Sequence, residues 1–329
     1  MAMREGEQAA RAPAPRRFDR LVHLGNVVVD VVLTVPALPE RGGDVLASQT
    51  RTAAGGGFNV LAAAARQGLR AAYAGAHGTG PFGTLARAAL AAEGIDVIQP
   101  VTCGLDTGFV LTIVEAGGER TFLTSRGAEA TLTAGDLDRV NPAARDAVYL
   151  SGYGLVHDSN RAALLHWLAR LDDSHLVFFD PGPLVGSIPA AALAAVLGRA
   201  DWLTCNAREA ALLAGAADPL AAVAALAGRA GRAGRHRRPG VLVRTGPDGC
   251  LIGRPGAGCA HVPGFQVAVL DTNGAGDAHS GAFIAALAAG AADTAAARSA
   301  NAAAALSVTR PGPATAPTRE ELARFLATA

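Results

Sequence analysis

The stretch Val269 to Leu287, VLDTNGAGDAHSGAFIAAL, sets two glycines, a carboxylate and a helix start within a few positions of one another. Gly274 and Gly276 carry no Cβ, so backbone N–H groups can turn toward an anion there. The N-terminus of the Ala-rich helix that follows adds partial positive charge. Such a cradle suits phosphate. Asp277, in the same place, would repel a bound phosphate. Its position makes sense if it takes a proton from a hydroxyl that then attacks the terminal phosphoryl group, with the helix end stabilising the developing charge. The chemistry implied is phosphoryl transfer to an alcohol. The competing structural use is tight helix packing with Asp277 capping the first turn. The run Gln266 to Leu270 is expected to feed this turn as a strand or loop.

Composition narrows the means. The chain has 329 residues, half of them apolar, with 29 basic against 28 acidic side chains and no lysine. The length suits one large α/β domain. Near-zero net charge argues against a nucleic-acid or membrane-surface role. A Walker A loop, a protein-kinase strand lysine and a Schiff-base enzyme each need a lysine and are excluded. Phosphate must be met by arginine, backbone N–H groups and a divalent metal. Cys103, Cys205, Cys250 and Cys259 form no CxxC and read as reduced thiols of a cytoplasmic protein. The segment 1–17 lacks the apolar centre of a secretory signal and is expected to be a disordered tail.

DTNGAGD followed by SGAF resembles the C-terminal signature of the ribokinase-like (PfkB) carbohydrate kinase family, DTxGAGD, with His279 where that family usually has Phe. Three other segments agree. Ala54-Gly55-Gly56-Gly57-Phe58-Asn59 before a helix resembles GGxxxN, Asn206 to Glu209 resembles NxxE, and Gly75 to Gly83 resembles GxxGxDxFG with Gly80 in the acidic position. The resemblance runs from Leu21 to the C-terminus. It implies a three-layer α/β/α fold, with a mostly parallel central sheet and a small β-sheet lid, as one kinase domain over 18–329. The lid segments would be about 31–53 and 105–124.

The same resemblance implies ATP and Mg²⁺, with a monovalent cation such as K⁺ as a further candidate. Asp277 would be the base, and Gly274, Ala275 and Gly276 the anion hole. Asp30, Gly55, Gly56, Gly57 and Asn59 would hold the sugar together with Asp277. On the nucleotide side would stand Asn206, Arg244, Gly246, Gly249, Thr272, Gly274, Gly276 and Asn301. Glu209 and Asn206 would meet Mg²⁺ through water. Residue chemistry fits these roles: Asp30 can accept from two vicinal hydroxyls, and Asn59 can donate and accept. Asn206 and Glu209, three apart, share a helix face, and they also make a good capping box. Both can hold at once. Val28 and Gly56 depart from the residues commonest in ribokinases, Asn and Lys.

The elements that must position these groups follow from pattern. Leu21 to Val35 reads as a strand, a Gly25-Asn26 break and a second strand, with neither the GxGxxG nor the helix of a dinucleotide fold. Leu38 to Thr52, with alternation at Val45 to Gln49, predicts a hairpin-like excursion, and Thr107 to Leu123 a partner hairpin turning at Gly117-Gly118. A lid built from them would exclude water from phosphoryl transfer. From Ala147 onward apolar strand-length runs alternate with Ala/Leu-rich helices, the pattern of a parallel sheet covered on both faces. His157-Asp158-Ser159 are consecutive and cannot converge as a triad, and His77 reads as neither ligand nor base. The basic run 228–240 reads as a solvated loop. Two rival functions remain open: a nucleoside kinase, for which Phe58, Phe109 and Tyr153 are the candidate base clamp, and a catalytically inactive sugar- or nucleotide-sensing protein. An exposed lid face would also allow a homodimer.

Overall fold

Period-two burial along the strands generates the layers. Val22, Val148, Val177, Phe179, Leu203, Val241 and Val243 belong to one apolar core, while their neighbours Leu21, Ala147, Tyr149, Phe178, Trp202 and Leu242 belong to another on the opposite side. Strands buried on both faces need helices on both faces. The structure is a computed structural model and describes residues 17–230 and 239–329. The expected tail, apart from Arg17, and most of the basic run lie outside the described residues. Arg17 itself is anchored, its N–H donating to the Ala288 carbonyl.

The chain begins with β1 (Arg20–Leu24), β2 (Val27–Val35), β3 (Gln49–Gly56), α1 (Gly57–Arg66), β4 (Arg70–Tyr73), α2 (Pro81–Ala92), β5 (Asp96–Val97), β6 (Phe109–Glu115) and β7 (Arg120–Ser125). It continues through α3 (Ala134–Leu137), β8 (Asp146–Ser151), α4 (Tyr153–Val156), α5 (Asp158–Arg170), β9 (Leu176–Asp180), α6 (Ala190–Arg199), β10 (Trp202–Asn206), α7 (Ala207–Ala214) and α8 (Pro219–Ala230). It closes with β11 (Gly240–Arg244), β12 (Gly249–Arg254), β13 (Gly258–Pro263), α9 (Ala275–Ala288), α10 (Asp293–Ser307) and α11 (Arg319–Thr328).

Nine strands form the main sheet in the order β13-β12-β11-β10-β9-β8-β1-β4-β5. Pairing is parallel except at β11-β12 and β12-β13. Helices α5, α6 and α8 cover one face, and α1, α9 and α10 the other. The lid is a separate sheet, β3-β2-β6-β7. The expected three-layer α/β/α fold with a small lid is the one observed.

Two details differ from the sequence reading. Lid pairing starts earlier than residue 31, at Val27, and continues to Gly56. The alternating run from Val45 is not strand until Gln49. Alternation marks which side chains share a face, but residues 44–47 have no neighbouring strand to pair with, and Leu46 is 85% exposed. Gln266 to Leu270 is loop, with Val269 and Leu270 exposed.

Gly25-Asn26 is the point where the chain leaves the main sheet for the lid. Tyr73 fixes the departure, accepting from the Val27 N–H and donating to the Ala76 carbonyl. The β8, β9 and β11 carboxyl ends, at Ser151, Asp180 and Arg244, open toward the crevice beneath the lid, where open parallel sheets bind ligands, and the β10 end, at Asn206, lines an adjacent cavity. The Gly80 departure has a local remedy. A side chain at Gly80 would collide with the Asp106 carboxylate, which accepts from the Phe82 and Gly83 N–H groups and so caps α2 from another segment.

Candidate active site

Helix α9 starts at Gly274, whose φ of 75° lies in the left-handed region and where a Cβ would stand 2.0 Å from the Pro313 carbonyl oxygen. No side chain caps this end, so the first-turn amides keep their donors for a ligand. Asp277 lies in that first turn. Its Oδ2 accepts from Asn59 Nδ2 of α1 at 3.0 Å. The approach that makes this bond possible is set at Gly281, where a Cβ would come within 2.5 Å of the Val60 carbonyl oxygen and 2.6 Å of Ala63 Cβ. Burial raises the Asp277 pKa to about 7; Asp180 and Asp30 push in the same direction, while Asn59 and Arg244 oppose them.

Asp277 forms part of the floor of a cavity of about 380 Å³ beneath the lid. The lid contributes alternate residues of its inner face: Val28 and Asp30 from β2, Val110 and Thr112 from β6, Phe122 and Thr124 from β7. Asp30 packs directly on Gly55, where a Cβ would meet its carboxylate at 2.3 Å. Burial raises its pKa to about 6 against a hydrogen bond from Asn273 that lowers it. Gly56, Gly57 and Asn59 line the same cavity, which brings together every residue expected to hold the sugar except Gly55, which backs Asp30. His23 lies below, fully buried, its ring stacked on Tyr149 at 4.9 Å, and burial lowers its pKa to about 3. Of the candidate base-clamp aromatics only Tyr153 reaches the cavity. Phe58 is buried in the core, and Phe109 packs on Phe82.

A second cavity, of about 480 Å³, lies on the other side of the α9 start. Gly246, Gly249, Thr272, Ala275 and Asn301 line it, with an apolar wall that includes Phe265, Val267 and Val308. The two cavities meet at Gly276 and Arg244. Arg244 donates to Asp180 Oδ2 at 3.0 Å and to Ser280 Oγ at 3.1 Å, and lies 3.8 Å from Glu209. Its charge is therefore met by protein, and it braces the junction between the cavities.

Asn301 lines the second cavity and is likewise held by protein. Its Nδ2 donates to the Val262 and Pro263 carbonyls, and its Oδ1 accepts from His279 Nε2, so the amide ties α10 to β13 at the cavity wall. His279 fills the position of the usual Phe as this buried, neutral partner, its pKa lowered to about 3 by burial.

Asn206 and Glu209 form the reciprocal capping box at the start of α7. Glu209 is 2% exposed, and burial raises its pKa. Among the described residues no group of three or more His, Cys, Asp or Glu could hold a metal ion by itself. Hard carboxylate and amide oxygens beside the junction are the donors that suit Mg²⁺ carried by phosphates, through water.

Asp180 escaped the sequence reading although it sits at the centre of the site. Its carboxylate faces Arg244, Thr204 and the Gly182 N–H. The available signal was an acidic residue closing an apolar strand and followed by Pro-Gly.

The profile of the pfkB family carbohydrate kinases matches residues 19–320. The chain is 34% identical over 301 residues to an uncharacterized sugar kinase of Escherichia coli K12, covering 91% of each. It is 32% identical over 312 residues to an ATP-dependent ribose-1-phosphate kinase of Halopiger xanaduensis, covering 93% of this chain and 98% of the relative. A ribokinase structure from Thermotoga maritima superposes with a TM-score of 0.76 at 25% identity, over 94% of this chain and 99% of that one. The chain belongs to the pfkB family of carbohydrate kinases. Among the described residues no single helix is long and apolar enough to cross a membrane.

Proposed function

We propose that the protein transfers the γ-phosphoryl group of ATP to a hydroxymethyl group of a small sugar, with Asp277 as general base. The meeting of two cavities at the uncapped start of α9, with Asp277 on the side of the lid, carries this reading. The sugar binds under the lid with its hydroxyls toward Asp30 and Asn59. ATP occupies the second cavity and places its γ-phosphate over Gly274, Ala275 and Gly276, whose amides stabilise charge in the transition state. Asp277, with a pKa near 7, accepts the hydroxyl proton. Glu209 and Asn206 would hold, through water, a Mg²⁺ carried by the phosphates, which would supply charge neutralisation.

The relatives that act on sugars support a carbohydrate acceptor, and the ATP-dependent one supports the donor. The placement of Phe58 and Phe109 outside the acceptor cavity supports a sugar over a nucleoside. The intact acid and anion hole support an active enzyme over a sensor. Stimulation by a monovalent cation such as K⁺ belongs to the same proposal, as does a homodimer through the lid, whose β7 lies at a sheet edge and exposes Leu123.

The test is Asp277→Asn. Sugar-dependent ATP consumption should fall on the order of a hundredfold or more in kcat, while nucleotide affinity by calorimetry stays close to wild type. Near-wild-type turnover would sink the assignment.

A further inference from the structure

The lid's inner face carries one group that phosphoryl transfer does not use. Alternation along β7 turns Phe122 and Thr124 into the acceptor cavity, and the next residue in that series, Arg126, lines it as well. No hydrogen bond or ion pair engages the Arg126 guanidinium among the described residues. The other charged groups nearby are committed. Glu129 accepts from the Gly108 and Gly127 N–H groups at 2.7 and 2.9 Å, and Arg244 is held by Asp180. His157 lines the same end of the cavity, half-buried at the start of α5, and its side chain makes no capping bond. Burial first, and the neighbouring Arg126 second, lower its pKa, which favours the neutral ring.

Register gives the spacing. Asp30 pairs with Val110, and Val110 with Thr124, so the β7 side of the cavity stands two strand spacings from Asp30, roughly 10 Å. The cavity thus has a carboxylate end suited to sugar hydroxyls and a guanidinium end suited to an anion, with hydroxyl and apolar side chains between.

We propose that the acceptor is a sugar bearing an anionic substituent, a phosphate ester or a carboxylate, seated against Arg126 and His157 at the end of the cavity across the lid from Asp30. This rests on the kinase reading above and specifies its substrate class. A planar fork of donors with no protein partner can pair with two oxygens of one anion, and an arginine in that role discriminates strongly against neutral analogues. Arg126 acts on affinity for the acceptor and takes no part in proton transfer.

The experiment measures ADP production with three panels: neutral aldoses and ketoses, sugar acids, and sugar monophosphates. Wild type, Arg126→Gln and Arg126→Lys are compared. Because Arg126 is exposed and bonds to no other group among the described residues, the variants should fold, and a thermal melt verifies it. The expected result is preference for one charged panel, which identifies phosphate or carboxylate. Arg126→Gln should raise KM for that acceptor on the order of 10- to 100-fold, the range for a hydrogen bond to a charged group. The KM for ATP should hold, and Arg126→Lys should recover part of the loss. If neutral sugars are phosphorylated as efficiently as charged ones, or the substitution moves only the KM for ATP, the inference is overturned and the kinase reading stands. If no sugar of any panel supports ATP consumption, phosphoryl transfer to a sugar itself fails and takes this inference with it.

Discussion

A carboxylate that has to accept a proton from a sugar hydroxyl works best with a pKa near the operating pH. Asp277 reaches about 7 chiefly through burial, reinforced by Asp180 and Asp30. The proposed base acts only when deprotonated, so kcat/KM should climb with pH on an acid limb whose apparent pKa is near 7, and should be low at pH 5. A profile already flat between pH 5 and 7 would mean that the environment of Asp277 does not raise it. Asp277 and its glycines were legible in the sequence because they are contiguous, and a contiguous motif carries its own geometry. Asp180 and Arg126 were not. Each is a single residue at the end of a strand, and only the sheet order brings Asp180 to Arg244, 64 positions on, and Arg126 into one cavity with Asp277. Asn301 was legible as a polar residue on a helix, but its carbonyl partners at Val262 and Pro263 were not.

Between residue and site stand the elements, and α1 against α9 is the contact that matters most. Asn59 and Asp277 are 218 positions apart and meet because the two helices approach closely at Gly281. Gly281→Ala should force the pair apart against the Val60 carbonyl. A loss of about 1–3 kcal/mol in stability is expected for overpacking of this kind. Activity should fall more than stability explains, since a displacement of the order of 1 Å at the base is costly. Urea unfolding and kcat, measured on the same preparation, separate the two effects; wild-type values for both would show that the helices have room to spare. The lid is tied to the α9 start by a second contact, Arg120 of β7 to Asp271 at 2.7 Å, and Asp271 also accepts from Asn273 and Gly312. The alternation of strands and helices was readable from apolar runs and glycine breaks. The lid's boundaries were not, because the length of a strand depends on whether a neighbour is there to pair with it.

For the molecule as a whole, burying two carboxylates with raised pKa values opposes folding. Asp277 titrates near 7 and Asp30 near 6 in the folded chain, against an ordinary value of 3.8 for each. Between those values the folded state holds protons that the unfolded state has released. Stability from these groups is therefore greatest at low pH, declines as pH rises from about 4 to about 7, and stays at its reduced level above that. The cost is carried by the rest of the fold, including the two apolar cores on either side of the main sheet. Asparagine at 277 keeps an oxygen to accept from Asn59 and removes the ionisable group. Asp277→Asn should thus melt a few degrees above wild type at pH 8, with the gap closing toward pH 4, while catalysis is lost. Scanning calorimetry across that range measures both the sign and its pH dependence. A variant less stable than wild type at pH 8 would mean that the charged carboxylate is a net stabiliser, held by Arg244 and Asn59 more strongly than burial penalises it. The acid limb of the kinetic profile would then have to lie below the ordinary carboxylate range as well, so the two measurements stand or fall on the same balance of burial against partners.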